Sequence, residues 1–434
     1  MKRLSFILAC ALAALLSFPA CDGLEGFEGI DVKSFILVGD DPEKPVPVFE
    51  GQTIEMQIGQ QVLPAFFEGR DGWSGLLPEG KCIISDPSVL MFYMGSLHAM
   101  HGGKSSVTLQ YQEYEVKFTV NVPGDTSHGT IYYTAYDSDS DRPAEDWEGR
   151  ITYSDLLIVN GVLTNNPCNL ISSDSDGNLW QGVTRGGRVY LSCNGRELGE
   201  NASLAYPHPD LRYFPKKECI RTRHGRLFFF NGSQYKVIST DGTVTEGTAQ
   251  GTILDMDINA KGDIYLWTWY SYAGYVWIVS PDGTSSSHEA GTDHIILDAS
   301  LDSEGNEYFM CNLGDNKVGI YKNGKALYNL TDAYNPRLLV HGTDVWVASY
   351  SPDGDPDAAG NVTNWGLYLV KNKDISQIAA GFPWAGDLEF CMTQSGTPYL
   401  MAGDASGHLV YKNAAPVLFI PFVNGLSPQM AVTD

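Results

Sequence analysis

Residues 262–283 read GDIYLWTWYSYAGYVWIVSPDG, and this stretch decides the fold. A glycine turn opens it, and Tyr265 stands near the start of the apolar run that follows. A second apolar run surrounds Trp277 and ends in the turn before Gly283. Short runs rich in β-branched and aromatic residues, with turn residues on both sides, predict a β-hairpin.

The same pair of runs occurs seven times along the chain. The first run appears as GTIYYTAY, GNLWQGV, GRLFFFN, GDIYLWTW, GNEYFMC, GTDVWVAS and GTPYLMAG. The second appears as DLLIVNG, RVYLSCNG, YKVISTDG, YVWIVSPDG, KVGIYKNG, GLYLVKNK and HLVYKNA. A further apolar strand precedes six of the seven pairs. Repeating units of four short strands predict a β-propeller, and the lack of a 3.6-residue apolar period excludes a helical solenoid.

The two ends of the repeat region complement each other. The first unit has no leading strand, and the chain ends in SPQMAVTD at 427–434, which is typical of a leading strand with no unit behind it. We therefore expect an all-β propeller over 123–434, closed by the C-terminal strand. Seven blades are favoured, and six remain possible if the first unit is irregular. The repeats broadly resemble the NHL, kelch and YVTN propeller families.

The region before the propeller also has alternating apolar and polar residues, and its last part carries a family resemblance. The residues concerned are Ser85, Asp86, Pro87, Ser88 and Val89, then Gly95, Leu97, His98 and Ala99, the Gly102–Gly103 turn, and the alternations at 107–109 and 116–120. This pattern resembles the bacterial group-2 Ig-like domain. The resemblance implies a β-sandwich over 31–122 without catalytic residues.

The N-terminus is typical of a signal peptide. Lys2 and Arg3 precede an apolar run and small residues, so we expect 1–20 to be removed. The sequence around Cys21 resembles a bacterial lipobox, which implies that Cys21 carries lipid. The acidic tether at 21–30 resembles that of Bacteroidetes outer-membrane lipoproteins, which implies a lipid-anchored, surface-exposed protein of the outer membrane.

The charge balance excludes one class of partner. The chain has 28 basic and 52 acidic residues and a formal net charge of −24, whereas nucleic-acid binding requires a basic face. We therefore expect no nucleic-acid partner and no contact with the membrane beyond the lipid. No CxxC pair supports a zinc site, and disulfide pairing stays open. The motifs GxSxG, HExxH, GxGxxG and the P-loop do not occur.

Aromatic residues are the main candidates for ligand binding. In a propeller, the loops between the second and third strands and the loops between blades share one face, and aromatic rings stack on sugars. The candidates on this face are Trp147, Tyr206, Tyr213, Trp269, Tyr270, Tyr272, Tyr275, Tyr334, Trp365 and Trp384, with His208 and His294 in loops between blades. The alternative is that these rings pack between blades.

Some aromatic residues of the opening stretch are ligand-binding candidates, named above, and the others are assigned by the repeat. Tyr265 occupies a slot that recurs in every unit, and we expect it and Trp277 to be core, while Trp267 is open to either interpretation. The other occupants of the slot are Tyr132, Trp180, Phe228, Tyr308, Trp346 and Tyr399.

Two acidic loops have the ligand spacing of a calcium site. Alternating oxygen ligands suit a hard cation, although Asp and Gly also dominate ordinary turns. The candidates are Asp137, Asp139, Asp141 and Glu148 in the first loop and Asp353, Asp355 and Asp357 in the second. A third loop, with Asp174, Asp176 and Asn178, has similar spacing. No other cofactor is expected.

These observations favour a non-catalytic, lipid-anchored binding protein of the cell surface, with a glycan as the first choice of ligand. One alternative is a propeller enzyme that degrades polysaccharide, a lyase or a glycosidase, with His208 and His294 near the channel. The other is an interaction scaffold in a complex with an envelope protein. The oligomeric state stays open.

Overall fold

The computed structural model describes 34–39, 41, 45–67, 73–76, 81–93, 95–136, 143–145, 151–153, 155–185, 188–205, 220–354, 362–386, 388–403, 407–420 and 429–434. The chain divides into two compact units, Met1–Gly124 and Asp125–Asp434. Within the described ranges no helix is long and apolar enough to cross a bilayer. The expectations for 1–30, including lipidation of Cys21, lie outside these ranges.

The first unit is a sandwich of two sheets. One sheet contains, in spatial order, β2 (Val46–Val48), β1 (Ser34–Val38), β4 (Gln61–Phe67), β8 (Ser96–Ala99) and β7 (Leu90–Tyr93), with β5 (Trp73–Leu76) paired to β4. The other contains β3 (Thr53–Glu55), β10 (Tyr114–Val122), β9 (Gly103–Tyr111) and β6 (Cys82–Ile84).

The core of this sandwich follows from the alternation of its strands. Val116, Phe118 and Val120 of β10 are buried, whereas the residues between them are exposed or half-buried. They share one hydrophobic cluster with residues of the opposite sheet, and the ring of Phe66 stacks on Tyr111 with 4.8 Å between centroids. Period-two burial on facing sheets is the pattern of a β-sandwich.

The second unit contains seven four-stranded antiparallel blades. Blades 1 to 3 comprise, from the inner strand outward, β41 (Met430–Thr433), β11 (Thr130–Tyr136), β14 (Asp155–Val159) and β15 (Val162–Pro167); β16 (Leu170–Ser173), β17 (Leu179–Arg185), β18 (Arg188–Cys193) and β19 (Arg196–Glu197); and β21 (Ile220–Arg223), β22 (Arg226–Asn231), β23 (Gln234–Ser239) and β24 (Val244–Thr248). Three short elements lie outside this pattern: the hairpin β12 (Pro143–Glu145) with β13 (Ile151–Tyr153), β20 (Leu204–Ala205) on β18, and the 3-10 turn Glu200–Ala202.

Blades 4 to 7 repeat the same order. They comprise β25 (Thr252–Ile258), β26 (Ile264–Tyr270), β27 (Ala273–Val279) and β28 (Ser285–Glu289); β29 (Ile296–Leu301), β30 (Glu307–Gly314), β31 (Lys317–Lys322) and β32 (Lys325–Leu330); β33 (Tyr334–His341), β34 (Asp344–Pro352), β35 (Trp365–Lys371) and β36 (Asp374–Phe382); and β37 (Leu388–Met392), β38 (Pro398–Gly403), β39 (His408–Lys412) and β40 (Ala415–Ile420).

The ring closes through the C-terminal strand, as the sequence predicts. β41 pairs antiparallel with β11, from Thr130 opposite Thr433 to Tyr133 opposite Met430. β41 also lies beside β37 of blade 7 and β16 of blade 2, so that the seven inner strands form one circle. The expectation of an all-β propeller closed by its C-terminal strand is confirmed.

Asparagine turns fix the register of four blades. In blade 1 the turn after the third strand places Asn160 at φ 48°, and the Asn160 Oδ1 accepts the backbone N–H of Ile131 at 2.8 Å. Asn194, Asn323 and Asn372 make the same contact in blades 2, 5 and 6. Asparagine suits this site because it tolerates positive φ and its short amide reaches nearby backbone groups.

The third acidic loop, at 174–178, is a structural turn between the first two strands of blade 2. The buried Asp174 carboxylate accepts hydrogen bonds from the backbone N–H groups of Asp176 and Asn178 and, at 3.0 Å, from the Trp180 indole. Asp302 and Asn306 form the same turn in blade 5. The oxygens of Asp174 are therefore used inside the turn itself.

Candidate functional site

A cavity of about 260 Å³ lies at the centre of the propeller. Its wall contains residues from the inner strands of all seven blades, so it is the central channel of the ring. The charged residues of the wall include Arg221, Arg223, Asp298, Arg337 and Glu389. The channel therefore has both positive and negative groups, although the chain as a whole is strongly acidic.

Two arginines of blade 3 face carboxylates of blades 4 and 5. Arg221 Nε lies 3.2 Å from Asp255 Oδ1. The Arg223 guanidinium lies 3.6–3.7 Å from oxygens of Asp255, Asp257 and Asp298. Asp255 and Asp257 have no exposed surface. Because a buried charge is costly unless it is paired, the two arginines are what allows these carboxylates to lie inside the ring.

The same carboxylates also bind the backbone of the next blade. The N–H groups of Ala299 and Leu301 on β29 donate to Asp255 Oδ2 at 2.7 Å and to Asp257 Oδ2 at 2.8 Å. The N–H of Leu338 on β33 donates to Asp298 Oδ2 at 3.0 Å. An inner strand has one edge without a strand partner, and buried backbone groups need hydrogen bonds. Side chains of the preceding blade supply them here.

The ionisation of the cluster is split between neighbouring acids. Burial, followed by the negative charge of Asp255, raises the pKa of Asp298 to about 6. Burial also disfavours the charged form of Asp255, but the guanidinium groups of Arg221 and Arg223 outweigh it and lower the pKa of that carboxyl. Asp298 Oδ1 is buried and has no hydrogen-bond partner. That oxygen lies 3.6 Å from Arg223 Nη2 and 3.9 Å from Arg221 Nε, so it belongs to the same charge cluster.

Four predicted aromatic residues meet at the hairpin tip of blade 4. Tyr272 is 89% exposed and Tyr270 is 42% exposed, whereas Trp269 and Tyr275 are both half-buried. Ser271 and Tyr272 form the turn with φ of 50° and 65°. A positive φ is uncommon for a bulky residue, and the equivalent turn of blade 5 has Asp315 and Asn316, which tolerate it.

The hairpin tip contacts the loop before blade 5. The Gly274 N–H donates to the Thr292 carbonyl, and the predicted residue His294 follows in this loop, 42% exposed at its side chain and 3.6 Å from Asp293. Ile295 and Leu297 come next and are 51% and 38% exposed. We call Tyr270, Tyr272, Ile295 and Leu297 the apolar rim. Of these four residues, Leu297 also lines the channel.

The remaining described candidates lie at blades 6 and 7. Trp365 is only 9% exposed and packs edge-on against Tyr334, with 4.6 Å between ring centroids. Tyr334 in turn binds the Asn316 side chain through its hydroxyl. Trp384, in the loop between β36 and β37, is 45% exposed. Of these three rings, Trp384 is the one that presents an open face.

The structure also assigns the rings of the opening stretch that are not at the tip. Trp267 has no exposed surface and packs between blades 4 and 5, and Tyr265 and Trp277 are partly buried in hydrophobic clusters. All three therefore belong to the core, which resolves the open interpretation of Trp267.

Several predicted residues lie outside the described ranges: Trp147, Tyr206, Tyr213, His208, Asp137, Asp139, Asp141, Glu148, Asp355 and Asp357. Asp353 is described, and its Oδ2 lies 3.3 Å from Gln377 Nε2. Among the residues that the structure describes, no group of three or more His, Cys, Asp or Glu side chains is arranged to hold a metal ion. Calcium binding by the two acidic loops stays a prediction.

The charged channel is the part of the site that sequence reasoning missed. Its signal is present in the leading strands, where ECIRTRH and LDMDINAK place charged residues at every second position of an apolar run. Such alternation inside a buried strand indicates that one side chain row faces a polar interior. The register shifts that release Leu254 and Leu297 from pairing, in β25 and β29, have no comparable signal.

Comparison with known proteins identifies no family and no specific function. No protein-family model and no curated protein matches the chain. A protein from Lactobacillus plantarum is similar in structure at 12% identity, with 70% of this chain and 99% of that chain covered and a TM-score of 0.40. TolB from Acinetobacter baumannii is similar at 8% identity (77% and 80% covered, TM-score 0.36), as is the β-propeller domain of the Trilobed protease from Pyrococcus furiosus at 9% (50% and 73%, TM-score 0.34). The strand pairing itself shows that the chain is a β-propeller protein with an N-terminal β-sandwich.

Proposed function

We propose that the chain is a non-catalytic binding protein of the cell surface that holds a glycan at its apolar rim. The observation that carries the proposal is Tyr272, whose ring is 89% exposed on a backbone position with φ 65°. Such a position costs on the order of 1–3 kcal/mol for a bulky residue. An exposed ring at a costly backbone position supports a role in contact with a ligand.

The neighbours of Tyr272 suit a sugar. Tyr270 and Tyr275 have ring centroids 6.3 Å apart at an angle of 63°, and Ile295 and Leu297, which follow the loop that the hairpin tip contacts, are also exposed. Sugars have apolar faces that stack on aromatic rings, and tyrosine presents a large contact area with little side-chain entropy to lose. The hydroxyl groups of the rings remain available for hydrogen bonds with the ligand.

The cell address and the family of the sandwich belong to the same proposal. The signal-peptide pattern and Cys21 support a lipid anchor in an outer membrane of Bacteroidetes type. The strand alternation at 85–120 supports a group-2 Ig-like domain between the anchor and the propeller in the chain. The lipid then provides attachment, and the propeller provides recognition.

A glycan array with the lipid-free chain, residues 22–434, tests the proposal. We expect saturable binding without product, and a loss of at least tenfold in affinity for Tyr272→Asn, which keeps the turn but removes the ring. Phe49→Ala is the matched control, since it removes another exposed ring (60%) from the first unit. Equal binding by Tyr272→Asn and the parent chain contradicts a role for the rim. Copurifying envelope proteins without glycan binding would instead support the scaffold.

One observation favours the second candidate, a polysaccharide lyase or glycosidase. Asp298 lines the channel with a raised pKa of about 6, which is the property of a general acid near neutral pH. Release of shorter saccharides from array-positive polysaccharides, measured by chromatography and abolished in Asp298→Asn, would establish the enzyme. Binding without any release favours the binding protein.

A further inference from the structure

We propose that Asn231 is a site of covalent modification, at which the folded chain slowly loses a side-chain amide and gains a carboxylate. The reaction takes place between Asn231 and the backbone nitrogen of Gly232 and consumes one water molecule, so it needs neither an enzyme nor a cofactor. The inference does not depend on the proposed glycan-binding function, because it follows from the turns of the propeller blades.

An asparagine followed by a glycine can react with its own backbone. The deprotonated Gly232 nitrogen attacks the Asn231 Cγ, the Cγ–Nδ2 bond breaks, and Nδ2 leaves as ammonia. Water then opens the cyclic imide at one of its two carbonyl groups, which leaves an aspartate or an isoaspartate at this position. Glycine permits the attack because it has no Cβ to crowd its nitrogen. Each asparagine–glycine pair is therefore a candidate unless the fold holds its amide in place.

Three other asparagine–glycine pairs have side chains that the fold holds in place. They begin at Asn160, Asn194 and Asn323, whose amides fix the register of their blades, while a fifth pair, at 424–425, lies outside the described ranges. Each of the three Oδ1 atoms accepts a backbone N–H at 2.8 Å. Asn194 and Asn323 also donate through Nδ2 to a neighbouring asparagine. These hydrogen bonds must break before the side chain can reach the glycine nitrogen, which requires local opening of the turn.

Asn231 does not have this protection. It ends β22, and its side chain is exposed. Among the residues that the structure describes, none makes a hydrogen bond with the Asn231 amide, and none accepts the Gly232 N–H. The Gly232 carbonyl accepts the Ile253 N–H at 2.7 Å, which holds the turn but leaves the glycine nitrogen available. Exposure alone does not distinguish the site, since Asn194 and Asn323 are exposed as well, so the difference lies in the hydrogen bonds.

The new carboxylate lies on the face that has the apolar rim. Asn231 is at the turn between the second and third strands of blade 3, and Tyr272 is at the same turn of blade 4. Asn231 also lines a cavity of about 600 Å³ between blades 2 and 3. The charged residues among the described part of its wall are Arg188, Lys236 and Glu246. The modification therefore changes the net charge of this wall from one positive charge to zero.

The experiment incubates the folded chain, residues 22–434, at mildly alkaline pH, where the glycine nitrogen is deprotonated more often. Mass spectrometry of protease fragments follows each asparagine–glycine pair, since replacement of the amide NH₂ by OH raises the fragment mass by one unit. We expect this increase to appear at least about tenfold faster at Asn231 than at Asn160, Asn194 or Asn323, because Asn231 needs no local opening. Equal rates at Asn231 and at any of the other three would overturn the proposal.

Two controls separate the effect of the fold from that of the sequence. In urea, where the turns are lost, these four pairs should react at similar rates, since all of them consist of the same two residues. Asn231→Gln changes only an exposed side chain and should abolish the mass increase in its fragment, because glutamine forms the corresponding ring far more slowly. An Asn231 that stays unmodified in the folded chain, while the sample in urea reacts, would also overturn the proposal.

Discussion

Two parts of the ring differ in the side chains that accept hydrogen bonds from the free backbone N–H groups of the inner strands. In blades 5 and 6 the free edges of the inner strands donate to the carboxylates of Asp255, Asp257 and Asp298, which come from blades 4 and 5. At blades 1 and 2 neutral groups serve this purpose: Gln429 Oε1 accepts the Ile171 N–H at 2.8 Å, and Ser173 Oγ accepts the Val432 N–H at 3.1 Å. The carboxylate half requires compensating arginines, whereas the neutral half requires none.

The largest expected effect comes from removing that compensation. Arg223→Met leaves Asp255, Asp257 and Asp298 with one guanidinium fewer, and we expect a loss of about 3–5 kcal/mol in the free energy of unfolding. Urea unfolding followed by tryptophan fluorescence measures it, since eight of the nine Trp residues lie in Asp125–Asp434. A loss below about 1 kcal/mol would show that the charged half does not depend on this arginine.

The next effect is a dependence of stability on pH. The folded-state pKa of Asp298 is about 6, above the ordinary 3.8, so the folded chain takes up a proton that the unfolded chain does not bind. Stability should therefore rise as pH falls from 7 towards 5, by about 1.3 kcal/mol, and Asp298→Asn should remove the rise. Below about pH 4 the sign reverses, because the lowered pKa of Asp255 means that its protonation favours unfolding. A flat profile between pH 7 and 5 in the parent chain contradicts this assignment.

A substitution at blades 1 and 2, where neutral groups accept these hydrogen bonds, should lower the free energy of unfolding less. Gln429→Leu removes the acceptor of the Ile171 N–H without leaving a buried charge, and we expect a loss of about 1–2 kcal/mol. The same urea titration measures it. If Gln429→Leu costs as much as Arg223→Met, the distinction between the two halves is wrong.

The smallest effect concerns the strained tip. Tyr272→Asn should raise the free energy of unfolding by roughly 1 kcal/mol, because asparagine tolerates the positive φ of this turn. Thermal unfolding of the parent chain and the variant provides the comparison. Unchanged or lower stability would indicate that the tyrosine ring contributes to the fold.

The seven blades could be predicted from the sequence because each unit has its own turn residues and an aromatic residue at the same position. Trp180, Phe228 and Tyr399, taken from that slot, are all buried. The closing strand was predictable for the same reason, since 430–433 repeats the pattern of a leading strand. Local periodicity is sufficient where a contact is set by the unit itself.

The site was less predictable, because it depends on contacts between units. The Arg221–Asp255 pair joins two blades, and neither residue alone indicates a partner. Trp365 looked like a ligand-binding ring in the sequence, but Tyr334 from the start of the same blade covers it. The exposure of Tyr272 follows from a two-residue turn that the aromatic run conceals.

The composite blade also ties the two ends of the propeller together. Three strands of blade 1 come from the beginning of the propeller, and the fourth, Met430–Thr433, follows the strands of the other six blades in the chain. A chain that stops short of Met430 leaves the edge of β11 open to pairing with other chains. Closure of the ring therefore also protects the chain from edge-to-edge association.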